Sequence, residues 1–331
     1  MQITVLGGGS WGTALARLLA LKGLKVHLWV REPELAELIR ARRENPWFLP
    51  GVDLPPELSV DSNLERSIAF SSGIFLLVVP CQFIRSVLSS AREFFPSDPI
   101  FLCASKGIEL GSLKPMSVVV AEAMAPKPCR YAILSGPSFA RDVSEGKPTA
   151  VSLGCENLAL AEELQRMMST ETFRVYTNPD FRGVELGGAI KNVMAIAAGI
   201  SDGLDFGTSA RAALVTRGLA EMSRLGSAMG ADGRTFMGLS GIGDLVLTCT
   251  GDLSRNRQVG LRIGAGESLE AVLASMNMVA EGVKTTQAVY ELAGRLGLDM
   301  PITAQVQAML YDGKAPSIAV RELMSRSLKE E

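Results

Sequence analysis

The feature that most constrains the fold is the N-terminal stretch MQITVLGGGSWGTALARLL, which runs from an apolar β-type segment through three glycines into a helical segment. Gly7, Gly9 and Gly12 satisfy the G-x-G-x-x-G spacing at this strand-to-helix junction. Glycines allow a tight turn and a close backbone approach, and the start of a helix offers free N–H groups to a pyrophosphate. The stretch therefore predicts a dinucleotide-binding loop, whereas the glycines alone would indicate only a plain turn.

The following segments continue the alternation of strand and helix. Apolar, β-branched runs predict strands at residues 2–7, 25–30, 74–79, 99–105, 131–136, 149–155 and 173–178. A proline-rich segment at residues 45–56 is predicted to be a loop. Buried strands separated by helices predict a doubly wound parallel sheet with right-handed crossovers. We therefore expect an α/β Rossmann-type dinucleotide-binding domain over residues 1–179.

The sequence changes character after residue 179. Helical periodicity dominates residues 181–204, 209–230, 268–276 and 282–297, and no later segment predicts a strand. We expect an all-α second domain over residues 180–331, joined to the first near residues 177–181.

Composition argues against several classes of function. The chain of 331 residues is 47% hydrophobic with a net charge of -2, which gives no general attraction to nucleic acid or to an anionic membrane. Its apolar runs are too short to span a bilayer, and its five cysteines include no CxxC pair. We therefore expect a cytoplasmic protein with reduced thiols, without membrane insertion and without a metal site.

The chain has one histidine, His27, inside the second predicted strand. A strand histidine is more often a packed or half-exposed side chain than a functional one. If the chain is an enzyme, its proton donor or acceptor is therefore expected to be another residue type.

Arg31 and Glu32 follow the second predicted strand, where dinucleotide-binding domains contact the ribose. An arginine there suits a 2′-phosphate, and an acid suits a free 2′-hydroxyl. Arg31 favours NADP(H) as the preferred cofactor, while Glu32 keeps NAD(H) compatible. Both side chains could equally be solvated surface charges.

Two further segments, CASKGIE and LSGPSFARDV, lie at the carboxyl ends of predicted strands, where ligands collect in such sheets. They present Lys106 and Ser138. A lysine after a strand is commonly a surface charge, but beside a nucleotide crevice Lys106 could pair with phosphate or carbonyl oxygens.

The strongest catalytic candidate is Lys191, which lies in the helical segment GGAIKNVMAIAAG, apolar on nearly all sides. A lysine in such surroundings must be paired, or its pKa falls because burial disfavours the charge. Either condition suits proton exchange at a substrate oxygen. The alternative is a lysine at the helix edge whose ammonium group reaches solvent.

The segment GLSGIGDLVLTCTGDLSRNRQVG combines a glycine-rich loop with Asp244, Thr248 and the run Ser254-Arg255-Asn256. Ser254 could cap the following helix. The start of that helix, with Arg255 and Asn256 beside it, would form a compact site for phosphate. The alternative is an ordinary helix cap with exposed charges.

Taken together, these motifs resemble the bacterial-type NAD(P)-dependent glycerol-3-phosphate dehydrogenase family. The segments GGGSWGTALA, ASKGIE, LSGPSFA, GAIKNVMAIAAGI, GLSGIGDLVLTC and SRNRQVG occur in that family's order and approximate spacing, over nearly the whole chain. The resemblance implies a Rossmann-type domain followed by an all-α, 6-phosphogluconate-dehydrogenase-like domain. It also implies reversible reduction of dihydroxyacetone phosphate to sn-glycerol 3-phosphate, which feeds glycerophospholipid synthesis.

The resemblance implies a role for each residue that matches a family motif. Lys191 would exchange the proton, with Asp244 and Lys106 completing the catalytic set. The substrate contacts would be Lys106, Gly136, Ser138, Lys191, Asp244, Thr248, Ser254, Arg255 and Asn256. The dinucleotide contacts would be Gly7, Gly9, Ser10, Trp11, Gly12, Arg31, Lys106, Ala140, Arg255, Val279 and Glu281. The family often carries a second basic residue where this chain has Glu32, which argues against strict NADP selectivity.

Two other functions fit parts of the sequence. A β-hydroxyacid or 6-phosphogluconate dehydrogenase has the same two-domain architecture. Its carboxylate substrate, however, should require a carboxylate-binding group at the position where this chain has Ser254-Arg255-Asn256. A catalytically silent NADPH-binding regulator would keep the glycine loop and need neither Lys191 nor Asp244. The apolar helices of the second domain are compatible with a homodimer.

Overall fold

The computed structural model describes residues 1–276 and 279–327. Its strands are β1 (Gln2–Leu6), β2 (Lys25–Trp29), β3 (Glu44–Asn45), β4 (Leu49–Asp53), β5 (Leu58–Asp61), β6 (Ile74–Leu77), β7 (Ile100–Cys103), β8 (Arg130–Ser135), β9 (Thr149–Gly154) and β10 (Phe173–Asn178). The helices among them are α1 (Ser10–Leu21), α2 (Pro33–Arg42), α3 (Leu64–Phe70), α4 (Ile84–Ser90), α5 (Met116–Met124), α6 (Ala140–Ser144) and α7 (Leu158–Met168). The later helices are α8 (Phe181–Gly203), α9 (Gly207–Ala228), α10 (Asp244–Thr250), α11 (Arg255–Gly264), α12 (Leu269–Ala274), α13 (Glu281–Arg295), α14 (Pro301–Tyr311) and α15 (Pro316–Met324).

Eight strands form one sheet in the order β10-β9-β8-β7-β6-β1-β2-β5. All seven predicted strands are present, and the predicted parallel pairing is confirmed for six of the seven strand pairs; the prediction is wrong only for β8 and β9, which pair antiparallel. The reason is the connection between them, which contains only the short helix α6 and stays at the carboxyl end of β8. The chain therefore re-enters the sheet from that same end, and β10 follows parallel to β9.

The segment predicted as a loop at residues 45–56 contains part of an antiparallel hairpin, β3–β4. The backbone N–H of Phe48 donates to Asn45 Oδ1 at 3.1 Å, which closes the turn. Leu49 and Val52 are buried against Ala14 of α1. Only these two side chains of β4 are buried, and a proline and a glycine separate them. The segment therefore lacks the alternation of apolar and polar residues that predicts a strand.

Helix α8 runs through the centre of the helical half, and its side chains are buried from Gly183 to Ser201. Glycines allow its neighbours to approach closely: a Cβ on Gly187 would lie 2.4 Å from the carbonyl oxygen of Ser240, and one on Gly199 would lie 2.0 Å from that of Arg257. By length and hydropathy α8 could cross a membrane, but a buried core helix meets the same criterion, and its apolar window is wholly buried.

Within the described ranges all strands precede residue 179, and helices account for the regular structure that follows, as predicted. Apolar side chains such as Leu28 and Leu76 cover one face of the sheet, and Phe75 and Phe101 cover the other. A separate core around Ile190 joins the later helices. Helix α8 also contacts β8, so the carboxyl end of the sheet meets the helical half there.

Candidate active site

The glycine loop after β1 has the geometry of an anion cradle. Gly7 has φ +124°, and a Cβ there would lie 2.7 Å from the backbone of Val78. A Cβ on Gly12 would lie 1.9 Å from the Gly7 carbonyl oxygen, whereas the space around Gly9 is open. Gly9 precedes α1 and offers no side chain to its first turn, so the free N–H groups of that turn point out of the helix end.

This loop forms one wall of a cleft of about 680 Å³ between the sheet and the helical half. Every residue that the sequence assigned to the catalytic, substrate or cofactor site, except Gly136, lines that cleft. They are Gly7, Gly9, Ser10, Trp11, Gly12, Arg31, Lys106, Ser138, Ala140, Lys191, Asp244, Thr248, Ser254, Arg255, Asn256, Val279 and Glu281. Residues far apart in the chain are therefore brought to a single site.

A buried carboxylate flanked by two lysines lies at the helical wall of the cleft. Asp244, at the start of α10, accepts hydrogen bonds from Lys191 Nζ at one oxygen and from Lys106 Nζ, at 2.7 Å, at the other. Lys191 also donates to Thr248 Oγ1 at 2.8 Å. Asp244 and Lys191 are both buried, so the helix-edge alternative for Lys191 is wrong.

The charges of this cluster are strongly coupled. Burial lowers the pKa of Lys191 to about 8, although the Asp244 carboxylate opposes that shift. Burial by itself would raise the pKa of Asp244, but the two ammonium groups outweigh it and hold that pKa below its ordinary value. Asp244 therefore stays ionised, while the lowered pKa of Lys191 lets it titrate at about pH 8. With both lysines charged, the cluster carries an excess positive charge suited to an anionic ligand.

Gly136 and Ser138 support the cluster from the end of β8. Lys106 Nζ donates to the Gly136 carbonyl at 3.2 Å, so this glycine contributes its backbone behind the cleft surface. Gly136 has φ +143°, and a Cβ there would lie 2.9 Å from the Cα of Val151. Ser138 Oγ donates to the same carbonyl at 3.0 Å.

The run Ser254-Arg255-Asn256 forms the start of α11, as predicted. Ser254 Oγ accepts the Arg257 N–H at 3.2 Å and so caps the helix. The two sides of the Asn256 amide are already engaged: Nδ2 donates to Asn192 Oδ1 at 2.9 Å, and Oδ1 accepts the Gly282 N–H at 3.0 Å. One N–H of Nδ2 and the first backbone N–H groups of α11 remain for a ligand.

Arg255 and Glu281 close the cleft on the side of α13. Arg255 donates to the Val279 carbonyl at 2.8 Å, and Glu281 accepts the Cys81 N–H at 2.9 Å. Burial raises the pKa of Glu281, although Arg255 and the Cys81 N–H oppose the shift.

Sequence reasoning missed several contributors to the cleft, among them four residues on the hairpin, α6 and α8. The hairpin supplies Phe48 and Pro50, and α6 supplies Arg141. Asn192 links Asn256 to the Lys106 carbonyl, to which it donates at 3.3 Å. Two of these residues could have been found because each follows a predicted site residue in the sequence: Asn192 follows Lys191, and Arg141 follows Ala140. No feature of the sequence around residues 45–56 predicts that the hairpin lies at the cleft.

His27 is a packed strand residue, as expected. Its ring nitrogens lie 2.8 Å from Ser59 Oγ and 3.0 Å from Ser67 Oγ, and burial lowers its pKa. It lies outside the residues that line the cleft. In the part of the chain that the structure describes, no group of three or more His, Cys, Asp or Glu side chains could hold a metal ion.

The glycine loop at the start of α1 and the lysine-carboxylate cluster across the same cleft define a two-domain nicotinamide-dinucleotide dehydrogenase. Comparisons with known proteins identify the family. The model for the N-terminus of NAD-dependent glycerol-3-phosphate dehydrogenase matches residues 2–161, and the model for its C-terminus matches residues 180–321. The chain therefore belongs to the NAD-dependent glycerol-3-phosphate dehydrogenase family and is an oxidoreductase.

Individual relatives agree. The chain is 57% identical over its whole length, and over the whole of the other chain, to a glycerol-3-phosphate dehydrogenase [NAD(P)+] of Solidesulfovibrio magneticus. A crystal structure of glycerol-3-phosphate dehydrogenase from Coxiella burnetii matches with a TM-score of 0.94 at 40% identity, covering 98% of this chain and 99% of that one. A D-mandelate dehydrogenase at 12% identity, with a TM-score of 0.61, covering 97% of this chain and 100% of that one, is similar in fold alone.

Proposed function

We propose that this chain catalyses the reversible NAD(P)H-dependent reduction of dihydroxyacetone phosphate to sn-glycerol 3-phosphate. The observation that carries the proposal is Lys191, buried and hydrogen-bonded to Asp244, in the same cleft as the glycine loop. The full-length identity to a chain named glycerol-3-phosphate dehydrogenase [NAD(P)+] supports the choice of substrate.

The residues of the cleft fit a nicotinamide dinucleotide. Gly9 leaves open space beside the first turn of α1, which suits a pyrophosphate. The indole N–H of Trp11 is buried without a hydrogen-bond partner in the described structure, so a ligand could satisfy it. We propose that the glycine loop, Ser10, Trp11, Arg31, Ala140, Val279 and Glu281 hold the cofactor, which supplies or accepts a hydride when bound.

We assign the proton step to Lys191. As an ammonium it would donate a hydrogen bond to the substrate carbonyl oxygen and then release its proton as the alkoxide forms. In the opposite direction the neutral amine would accept the hydroxyl proton. Asp244 and Thr248 hold Nζ in place, so the group is oriented before substrate binds.

The remaining site residues would bind the substrate away from the reacting carbon. We propose that Arg255, Asn256 and the start of α11 bind the phosphate, since that helix end offers free N–H groups beside a cation. Lys106 would add positive potential at the substrate oxygens, while Gly136, Ser138 and Ser254 shape the pocket.

Several finer statements belong to the same proposal. We expect NADP(H) to be preferred over NAD(H) through Arg31, and the product to feed glycerophospholipid synthesis in the cytoplasm. We place the division between the two domains at residues 179 and 180, since β10 ends at Asn178 and α8 begins at Phe181. A homodimer remains part of the proposal through the apolar helices of the second domain.

The test is an absorbance assay at the nicotinamide band with dihydroxyacetone phosphate, run in parallel with NADPH and NADH. The proposal predicts oxidation of the nicotinamide by both, faster with NADPH. Turnover of a β-hydroxyacid instead would support the carboxylate-specific alternative. Dinucleotide binding without turnover of any keto-phosphate would support the silent regulator.

A further inference from the structure

The two residues after β2 present opposite charges to the cleft, and they are bonded to each other. Arg31 and Glu32 both line the cleft, beside Gly8 and Trp29. Glu32 precedes α2, but its side chain accepts no N–H from that helix. Its Oε1 instead accepts hydrogen bonds from Arg31 Nε at 2.8 Å and from Arg31 Nη2 at 2.5 Å. The guanidinium that could bind a 2′-phosphate is therefore already paired within the chain.

The second oxygen of Glu32 is open. Over residues 1–276 and 279–327, Arg31 is the hydrogen-bonding and ionic partner of the Glu32 side chain, and it uses Oε1 alone. A free carboxylate oxygen at the end of this strand is an acceptor for a ribose hydroxyl. The pair can thus accept a dinucleotide that has a free 2′-hydroxyl without breaking its internal ion pair.

The neighbouring charges do not alter this arrangement. Asp61 lies at the end of β5, opposite Trp29 in the sheet. Its carboxylate accepts the Asn63 N–H at 3.0 Å and lies 3.8 Å from Arg66, so it is balanced within its own segment.

Cations elsewhere in the cleft are engaged with other partners. Lys106 and Lys191 share the carboxylate of Asp244, and Arg255 donates to the Val279 carbonyl. Arg141, which also lines the cleft, lies 3.6 Å from the Glu145 carboxylate. A phosphate on the ribose at the end of β2 would therefore depend on the guanidinium that Glu32 holds.

We propose that Glu32 reduces the preference for NADP(H) over NAD(H) that Arg31 provides, by competing with the 2′-phosphate for Arg31 and by repelling it. This inference rests on the proposed function, because it assumes that the cleft binds a nicotinamide dinucleotide at the glycine loop. NAD(H) leaves the Arg31–Glu32 pair intact and gains the free oxygen of Glu32. NADP(H) must draw the guanidinium away and place its phosphate beside a carboxylate.

The exposure of the pair limits the size of the effect. The side chains of Arg31 and Glu32 are 71% and 28% exposed, so the ion pair itself is weak and a ligand can displace it. The repulsion remains, because a 2′-phosphate carries nearly two negative charges. Removing the Glu32 charge should therefore shift the affinity ratio by about tenfold.

The experiment measures dissociation constants of NADP⁺ and NAD⁺ by calorimetry, without substrate, for wild type and Glu32→Gln. The variant should bind NADP⁺ about tenfold more tightly, while NAD⁺ affinity changes by less than about threefold. The gain in NADP⁺ affinity should shrink at high salt, because the carboxylate–phosphate repulsion is screened.

The matched control is Glu34→Gln, which removes the same charge from an exposed position in the first turn of α2. It should leave the ratio unchanged. Arg31→Gln should weaken NADP⁺ and spare NAD⁺. An unchanged ratio in Glu32→Gln, or an equal shift in Glu34→Gln, would overturn the proposal. Because binding is measured without substrate, failure of dihydroxyacetone phosphate turnover is a separate result that concerns only the proposed reaction.

Discussion

The two walls of the cleft use different chemistry. The wall formed by β1 and α1 offers backbone: glycines that leave room, and N–H groups at a helix start. The wall formed by α8, α10 and the loop after β7 offers side chains: two lysines that share the buried carboxylate of Asp244. A backbone wall is sensitive to volume, and a charged wall is sensitive to the loss of a single charge. The predictions below separate these sensitivities.

The largest effect is expected at the charged wall. Lys191→Met keeps the length of the side chain but removes the proton, so kcat/KM for dihydroxyacetone phosphate should fall by about 10²–10⁴-fold. Cofactor affinity should change little. The control is Lys284→Met, an exposed lysine on α13 outside the cleft, which should retain wild-type kcat/KM. A loss of less than about tenfold at Lys191 would remove it from the proton step.

Asp244→Asn tests the carboxylate that the two lysines share. The substitution leaves the buried Lys191 ammonium and the partly buried Lys106 ammonium without a counter-charge, so we expect a loss of about 3–5 kcal/mol in the free energy of unfolding. The pKa of Lys191 should also fall below about 8, because the Asp244 carboxylate is what opposes the effect of burial.

Chemical denaturation and a pH–rate profile measure the two consequences separately. Asp252→Asn is the control, since the Asp252 side chain is 91% exposed, and it should cost far less stability. An Asp244→Asn protein as stable as wild type, with an unshifted profile, would mean that the carboxylate does not hold the lysines.

The backbone wall should give smaller effects that depend on where the added methyl group points. Gly12→Ala places a Cβ 1.9 Å from the Gly7 carbonyl oxygen, so it should lower the melting temperature through about 1–3 kcal/mol of overpacking. Gly9→Ala meets open space, so it should fold normally and lose about tenfold in dinucleotide affinity, because its methyl group occupies the proposed pyrophosphate position.

Gly294→Ala is the control for this pair, because it also meets open space but lies on α13, away from the cleft. It should change neither quantity. Unimpaired dinucleotide binding by Gly9→Ala would place the pyrophosphate elsewhere.

The difference between the walls also explains what could be predicted from sequence. The strand, the glycines and the helix start that form the backbone wall are contiguous in the sequence. The glycine spacing at this junction is therefore enough to predict the conformation of the loop. Lys191 stood out because a charge in an apolar helix is conspicuous. The sequence does not predict that one carboxylate, Asp244, binds both Lys191 and Lys106. That arrangement depends on how α10 packs against α8 and on where β7 ends.

The same limit accounts for the errors in the fold. The antiparallel direction of β9 follows from a short connection that remains at one end of the sheet, and apolar content alone does not report strand direction. The hairpin around Asn45 is held by contacts with the glycine loop, where Asn45 Nδ2 donates to the Gly8 carbonyl at 2.8 Å. Tertiary contacts of this kind leave no periodic signal.

The central claim, that Lys191 exchanges the substrate proton, is tested most directly by pH profiles of kcat/KM in both directions. Burial lowers the pKa of Lys191 to about 8. Reduction needs the ammonium, so its rate should be level at lower pH and fall as the pH rises through about 8; oxidation needs the neutral amine, so its rate should rise through the same pKa. Profiles that are flat across this range, or that change in the same direction, would contradict the account.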